Sequence, residues 1–143
     1  MSIQGRFLEY ADAFEVSYED DDWSRLAQYF TEEASYDSGD GNGPAGGRDA
    51  LLDKLKAAVD GLDRAMDSRS VTFLQPPTTE GDTVIVNWRA LYTKAGLPDL
   101  ELLGCEYARF EGDRIAQLRD EIEPASIEAL TAWMGAHGEA LAT

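Results

Sequence analysis

Asp120 is the residue whose surroundings in the sequence point most directly to chemistry. With the two-residue period of a strand, Asp120 shares one face with Leu118 and Ile122. The polar residues on either side of it point to the other face. A carboxylate among apolar side chains is costly to bury unless its pKa rises or it gains a partner. We therefore expect Asp120 to be the acid or base of a functional site.

A second carboxylate, Glu106, belongs to the preceding predicted strand, where it alternates with Gly104 and Ala108. As a protonated acid in an apolar cavity it would donate a hydrogen bond to a substrate carbonyl, as in an oxyanion hole. The alternative is a glutamate at the rim of a pocket that faces water.

Several further side chains are candidates for lining a ligand pocket. Aromatic rings at helix or strand spacing suit an aromatic or polycyclic ligand, although the same spacing is typical of an ordinary core. A polar strand residue, Asn87, either orients a substrate oxygen or points into solvent. The ligand-binding candidates are Tyr10, Phe14, Asn87, Trp88 and Tyr107.

Composition narrows the partners and cofactors. The chain of 143 residues has a net charge of −16, which disfavours nucleic acid and anionic membranes as partners. The single cysteine, Cys105, and the single histidine, His137, do not provide a metal cluster or a Ser-His-Asp triad. We expect no metal and no other cofactor. With neither a signal-peptide pattern nor a membrane-spanning apolar run, the expected location is cytoplasmic.

The predicted secondary structure that positions these residues changes from mainly helices to mainly strands near Ser70. Before it, apolar spacings predict an amphipathic first helix from Ile3, a short second helix after Asp22 and a third over residues 48–59. A short strand is expected at residues 34–38 and a glycine-rich loop at 39–47. After it, strands are expected at residues 70–75, 83–93, 100–110 and 114–122, with a last helix from Pro124. This order predicts an α+β fold and a single domain over residues 1–143.

Three local patterns carry a resemblance to a known family. They are residues 22–34, from Asp-Trp-Ser-Arg-Leu to Glu-Glu-Ala; residues 47–51, Gly-Arg-Asp-Ala-Leu; and residues 107–124, from Tyr-Ala-Arg-Phe-Glu-Gly-Asp-Arg-Ile to Glu-Pro. In this order and spacing the chain resembles the nuclear transport factor 2-like superfamily, and within it the SnoaL-like group. The resemblance implies a cone-shaped, curved antiparallel sheet packed on about three N-terminal helices, with a cavity inside the cone.

The resemblance also implies roles for individual residues. In epoxide hydrolase-like members an aspartate in the frame of Asp120 activates water, and an arginine in the frame of Arg89 holds it. Leu91 stands where those members have a further acid, and residues 36–38 do not clearly match their tyrosine and asparagine. Asp120 and Arg89 are therefore expected to be a catalytic group with its orienting cation, or else a structural ion pair.

Other members of the superfamily imply other chemistry. In ketosteroid isomerase-like members the catalytic base corresponds to Ser38 here and the polarising tyrosine to Phe14, whereas the polarising acid corresponds to Glu106. Asp37 is one residue from the base position, which on a strand is the opposite face. In cyclase-like members an aspartate of the last strand is the acid or base, which matches Asp120.

Two functions follow as hypotheses. The first is a small-molecule-binding domain with cofactor-independent acid/base catalysis of cyclase, hydrolase or isomerase type on a small apolar or polycyclic substrate. The second is a non-catalytic ligand-binding or dimerisation module of the same fold. A homodimer through the outer sheet face is expected as well, because the 83–93 strand is apolar on both faces.

Overall fold

The N-terminal layer is helical, as predicted. The computed structural model describes residues 2–39, 41 and 43–141, so that Asp40 and Asn42 of the predicted glycine-rich loop lie outside the described residues. Helix α1 spans Ile3–Asp20, a 3-10 helix spans Trp23–Tyr29, α2 spans Arg48–Gly61 and a short 3-10 turn spans Asp63–Ala65. The Asp22 side chain caps the first 3-10 helix by accepting from the Ser24 amide at 3.2 Å.

A curved sheet, most of whose strands lie in the second half of the chain, is followed by a helix, which confirms the predicted α+β class. Strand β1 spans Phe30–Asp37, β2 Ala45–Gly46, β3 Ser68–Phe73, β4 Thr78–Glu80, β5 Thr83–Thr93, β6 Leu100–Glu111 and β7 Arg114–Ile122; helix α3 spans Pro124–Leu141. Within the described residues these seven strands form one sheet in the order β2-β1-β7-β6-β5-β3, and β4 also pairs with β5.

One pairing differs from the predicted antiparallel arrangement. Strand β1 lies parallel to β7, with Tyr36 opposite Leu118. Most of the chain separates β1 from β7, and such a long connection permits a parallel pair where a hairpin does not. This pairing brings the end of β1 beside the end of β7, where Asp120 lies.

The inner face of the sheet packs on the helices. In β5 the side chains of Val84, Val86, Ala90 and Tyr92 are buried, with the neighbouring odd-numbered positions less so. One core cluster joins α1, α2 and the narrow part of the sheet around Phe7, Leu26 and Leu118. A second cluster forms around Trp133 of α3, whose indole donates to the Pro98 carbonyl at 2.9 Å. No helix within the described part of the chain has the length and apolar character needed to cross a bilayer.

Gly104 of β6 lets Trp88 lie flat against the neighbouring strand. The two residues are opposite each other in the β5–β6 register. A Cβ atom at position 104 would lie 2.7 Å from the Glu121 carbonyl oxygen and 2.7 Å from Trp88 Cε2. Backbone cannot move aside easily, so an added methyl group would displace the indole or the strand.

We expect Gly104→Ala to lower the free energy of unfolding by about 1–3 kcal/mol, the usual cost of overpacking a core. Urea denaturation measures this change. Gly135→Ala is the matched control, because no atom lies within 4 Å of a Cβ built there in α3. The control should be neutral or stabilising by up to about 1 kcal/mol. Equal effects at the two positions would contradict the packing of Trp88 on Gly104.

Candidate functional site

A cavity of about 220 Å³ lies between the helices and the inner face of the sheet. Helix α1, helix α2 and strands β1, β3, β5, β6 and β7 all contribute lining residues. The lining residues that remain exposed to solvent are Glu15, Ala58 and Phe73, so the cavity opens between α1, α2 and β3. Its walls are rich in aromatic rings, those of Phe7, Tyr10, Phe14, Tyr36, Phe73, Trp88 and Tyr92.

Two carboxyl groups face each other in this cavity. Glu106 of β6 and Asp120 of β7 are direct partners in the antiparallel register, and both side chains line the cavity. The hydroxyl of Tyr36 donates a hydrogen bond to Asp120 Oδ2 at 2.8 Å. The parallel pairing of β1 with β7 places this tyrosine beside Asp120.

The surroundings of the pair favour a proton on one of the two carboxyl groups. Burial raises the pKa of Glu106 well above its usual range, and the Asp120 charge together with a hydrogen bond to Asp120 raises it further. Burial also raises the pKa of Asp120, but hydrogen bonds from Glu106 and Tyr36 oppose that rise. These effects favour the proton on Glu106 over Asp120, because the hydrogen bond between the two carboxyl groups raises the pKa of Glu106 and lowers that of Asp120.

Trp88 completes the surroundings of Asp120. Its indole N–H lowers the pKa of that carboxyl. It is nevertheless buried without a hydrogen bond of regular geometry to any described residue. A buried donor of this kind needs an explanation, and its nearness to Asp120 supplies one.

The tyrosines around the pair are neutral donors. Burial raises the pKa of Tyr10 well above its ordinary value, and the negative charges of Glu106, Asp120 and Glu15 add to the rise. Burial likewise raises the pKa of Tyr36, followed by the charges of Asp120 and Glu106. Both phenols therefore keep their protons and can donate to a carboxylate or a ligand.

A second polar cluster lines the cavity near its opening. Arg69 forms ion pairs with Asp63 and, at 2.7 Å, with Glu15. Its guanidinium lies over the rings of Tyr18 and Phe14, at 4.8 and 5.6 Å from their centroids. Burial raises the pKa of Asp63, and Arg69 opposes that rise. The side chain of Arg69 is only 6% exposed, which makes this a buried ion pair.

Comparison with known proteins places the chain in a family. The family model of the SnoaL-like domain matches residues 8–118. The chain belongs to the SnoaL-like domain family. No protein of curated function matches this SnoaL-like domain at the sequence level.

Solved structures show the same fold at low sequence identity. A SnoaL-like polyketide cyclase described as putative, from Shewanella putrefaciens CN-32, has a TM-score of 0.66 and 10% identity, over 95% of this chain and 88% of its own. An epoxide hydrolase of M. tuberculosis, described as LEH-like, has a TM-score of 0.63 and 14% identity, over 92% and 94% of the two chains. A hypothetical protein of ketosteroid isomerase-like fold from Catenulispora acidiphila, in complex with trimethylamine, has a TM-score of 0.63 and 18% identity, over 87% and 92%.

Part of the predicted site comes together in the cavity of the SnoaL-like domain. Asp120, Glu106, Tyr10, Phe14 and Trp88 all line it. Their roles in catalysis or binding stay predictions. Among the described residues, no group of three or more His, Cys, Asp or Glu side chains is arranged to hold a metal ion.

The expected pairing of Arg89 with Asp120 is wrong. Arg89 lies on the outer face of β5, where its Nε donates to Glu101 Oε2 of β6 at 2.6 Å. The inner face of β5 belongs to the even-numbered residues, including Trp88. Because β5 is apolar on both faces, its sequence alone does not distinguish the inner face from the outer one.

Asn87 and Tyr107 also lie away from the cavity. Asn87 is next to Trp88 in an extended strand and therefore points outward, and it lies opposite Cys105 in the register. The ring of Tyr107 lies under the Arg119 guanidinium, 4.1 Å from it. Neither residue lines the cavity, so the structure does not bring them together with Glu106 and Asp120.

Sequence reasoning missed Tyr36, Arg69 and Asp63. A signal for Tyr36 was present, because it alternates with the buried Ala34 on one face of β1. A signal for Arg69 was weaker: it alternates with Val71 at the start of β3, which places a cation on an inner face. Asp63 carried no periodic signal, since it lies in a 3-10 turn after α2.

We expect the stability of the domain to depend on pH because the pKa of Glu106 is raised in the folded state. The folded state favours the protonated form of Glu106. The contribution of Glu106 to the free energy of unfolding is therefore complete below its pKa in the unfolded chain, and it is lost as the pH rises through its pKa in the folded state. The titratable groups that interact with the Glu106 carboxyl are Tyr10, Tyr36, Cys105 and Asp120. Glu106→Gln cannot ionise and should escape this loss.

The Tm of Glu106→Gln relative to wild type should thus rise between about pH 4 and about pH 8, by roughly 3 °C or more. Thermal unfolding followed by circular dichroism measures it. Glu101→Gln, on the outer face of the same strand, is the matched control. A Tm difference for Glu106→Gln that stays constant with pH would show that Glu106 is not held protonated.

Proposed function

We propose that this SnoaL-like domain is a cytoplasmic protein that binds a small, largely apolar molecule and performs acid/base catalysis without a cofactor. The observation that carries the proposal is the pairing of Glu106 and Asp120 in an aromatic cavity, where burial raises the pKa of both carboxyl groups. Pairs of carboxyl groups whose surroundings separate their protonation states provide an acid and a base in one place. The cavity of about 220 Å³ is smaller than the roughly 300–1,000 Å³ of sites for drug-sized ligands, which favours a small ligand over a polycyclic one.

The two carboxyl groups have complementary roles in this proposal. Glu106 donates a hydrogen bond to the carbonyl oxygen of the substrate and stabilises the negative charge that develops there. Asp120 removes a proton from the adjacent carbon, and Tyr36 holds Asp120 through the 2.8 Å hydrogen bond. Return of the proton from Asp120 to a different carbon gives isomerisation. Attack of the enolate carbon on a second carbonyl carbon of the substrate gives cyclisation, and the proton from Asp120 then passes to the alkoxide that this attack forms.

Carbonyl chemistry fits the cavity better than epoxide hydrolysis does. The family resemblance implies that a hydrolase of this type uses an arginine to hold the aspartate that corresponds to Asp120. The residue in the frame of that arginine is Arg89, which lies outside the cavity. The cyclase type is implied to need the aspartate of the last strand, which is present here. The aspartate base of the isomerase type is replaced by Ser38, so Asp120 would take over that role.

The test of the proposal is proton exchange. Small enolisable ketones are incubated with the protein in deuterium oxide, and NMR follows the incorporation of deuterium next to the carbonyl group. The wild type should accelerate the exchange of at least one ketone. Arg89→Met, altered on the outer face, should exchange at the wild-type rate. An absence of acceleration across cyclic, aromatic and open-chain ketones would refute carbonyl chemistry.

One observation favours the second candidate, a non-catalytic binding module. Among the ion pairs of the described residues, Asp120 has no orienting cation, because Arg89 pairs with Glu101. A cavity of this kind can hold a ligand without transforming it. Saturable binding of a ligand with no turnover would decide for this candidate. The Catenulispora acidiphila protein of ketosteroid isomerase-like fold was solved in complex with a small organic base, trimethylamine.

A homodimer through the outer sheet face stays a prediction. Val84 and Val86 point into the core, which leaves Ile85 and Leu91 as half-buried apolar residues of the outer face of β5. Charged side chains such as Arg89 and Glu101 lie among them. The outer face is therefore less apolar than the sequence indicates.

A further inference from the structure

More acidic than basic side chains line the cavity. Among the described lining residues a single one is cationic, Arg69, against four carboxyl-bearing residues, Glu15, Asp63, Glu106 and Asp120. Arg69 is already engaged, because it forms ion pairs with both Asp63 and Glu15. Even with one proton shared between Glu106 and Asp120, the lining keeps a net negative charge.

The Glu106–Asp120 pair forms no ion pair with a cation among the residues that the structure describes. The pKa values of Glu106 and Asp120 respond to burial, to other carboxyl groups, to the Cys105 thiol and to the Tyr36 and Trp88 donors, with no cation among these causes. The hydrogen bond from Tyr36 stabilises the single negative charge but does not neutralise it. An anion enclosed among apolar walls gains the most from a ligand of opposite charge.

The walls themselves suit a cation. Aromatic rings attract positive charge at their faces, and cages of such rings are the usual receptors for methylated ammonium groups. Tyr10, Tyr36 and Trp88 line the cavity together with the carboxyl pair, and the Tyr36 hydroxyl donates to Asp120. The Tyr36 ring also has the Lys54 ammonium group 6.0 Å from its centroid. The Phe14 ring already holds a cation, the Arg69 guanidinium at 5.6 Å.

We propose that the cavity recognises a small organic cation, a tertiary or quaternary ammonium group, held between these aromatic rings and the Glu106–Asp120 pair. The apolar substituents of such a group pack on the rings, and its charge offsets that of the pair. A neutral ligand of the same shape gains only the packing. An anionic ligand meets the carboxyl pair and finds Arg69 occupied by Glu15 and Asp63.

This inference names the ligand class of the site in the proposed function, but it concerns binding and does not require turnover. Deuterium exchange of a ketone with no preference for cations would overturn the inference and leave the proposed function standing. Binding of cations without exchange of any ketone would support the inference and refute the proposed function.

The test compares three probes of similar size and different charge: tetramethylammonium, tert-butanol and pivalate. Affinities come from NMR titration of the tryptophan indole N–H signals at constant ionic strength. Tetramethylammonium should bind roughly tenfold or more tightly than tert-butanol, the lower range expected for a desolvated cation among aromatic rings. Pivalate should bind more weakly than both.

The variants identify the origin of the preference. Glu106→Gln combined with Asp120→Asn keeps the shape of the cavity and should bring tetramethylammonium to within about threefold of tert-butanol. The matched control Arg89→Met, on the outer face, should keep the wild-type preference. Should the double variant fail to fold, the wild-type order of the three probes decides alone. Equal or tighter binding of tert-butanol, tightest binding of pivalate, or a cation preference that survives in the folded double variant would overturn the proposal.

Discussion

Replacing Asp120 by asparagine is expected to lower the turnover of an exchanging ketone by roughly a hundredfold or more, the usual worth of a positioned base. Asparagine keeps the shape of the side chain and can still accept the hydrogen bond from Tyr36. It cannot take a proton from the substrate. The initial rate of deuterium incorporation, measured for the wild type and for Asp120→Asn at equal protein concentration, gives the factor.

The same substitution should leave the fold stable. Arg89 keeps its partner Glu101, so that Asp120→Asn leaves no buried cation without a counter-charge. It also removes the charge that burial opposes. Unfolding by urea should therefore show a free energy no lower than that of the wild type by more than about 1 kcal/mol. Wild-type turnover in Asp120→Asn would exclude this aspartate as the base.

Replacing Arg69 by methionine is expected to lower the free energy of unfolding by about 3–5 kcal/mol, because the change breaks a buried ion pair by removing one partner. Asp63, 8% exposed, would then be a buried carboxylate without its cation. The bond to Glu15, which joins α1 to β3, would be lost as well. Urea denaturation measures the difference.

The matched control is Arg64→Met. Arg64 also has two carboxylate partners, Asp60 at 2.9 Å and Asp21 at 3.0 Å, but its side chain is 33% exposed and both partners are in contact with solvent. The control should cost less than about 1 kcal/mol. Combining Arg69→Met with Asp63→Asn should recover part of the loss. Equal losses for the two arginines would contradict a buried role for Arg69.

The sequence predicted much of the fold because the strand and helix periods are regular. The bounds of β5 and β7 are those expected, and the position of Asp120 on an inner face follows from its apolar neighbours. The short strand β4 was not predicted, since the paired prolines before it indicate a break. The parallel pairing of β1 was not predicted either, because no local signal identifies the partner of a strand that has no hairpin.

The pairing of Glu106 with Asp120 depends on an irregularity that no sequence period shows. Near the tight turn Phe110 pairs with Ile115, but Arg109 pairs with Gln117, so that Ala116 is an extra residue in β7. Counted from the turn without this bulge, Glu106 would face Arg119. The bulge replaces an ordinary ion pair with two facing carboxyl groups, and this replacement creates the candidate site.

The protonation state of this pair tests the account most directly. Infrared difference spectroscopy separates the C=O band of a protonated carboxyl group from the bands of carboxylates. At neutral pH we predict one protonated carboxyl band from the cavity, present in the wild type and absent in Glu106→Gln. A wild-type spectrum without that band, or a band that Glu106→Gln leaves unchanged, would contradict the proton shared between Glu106 and Asp120.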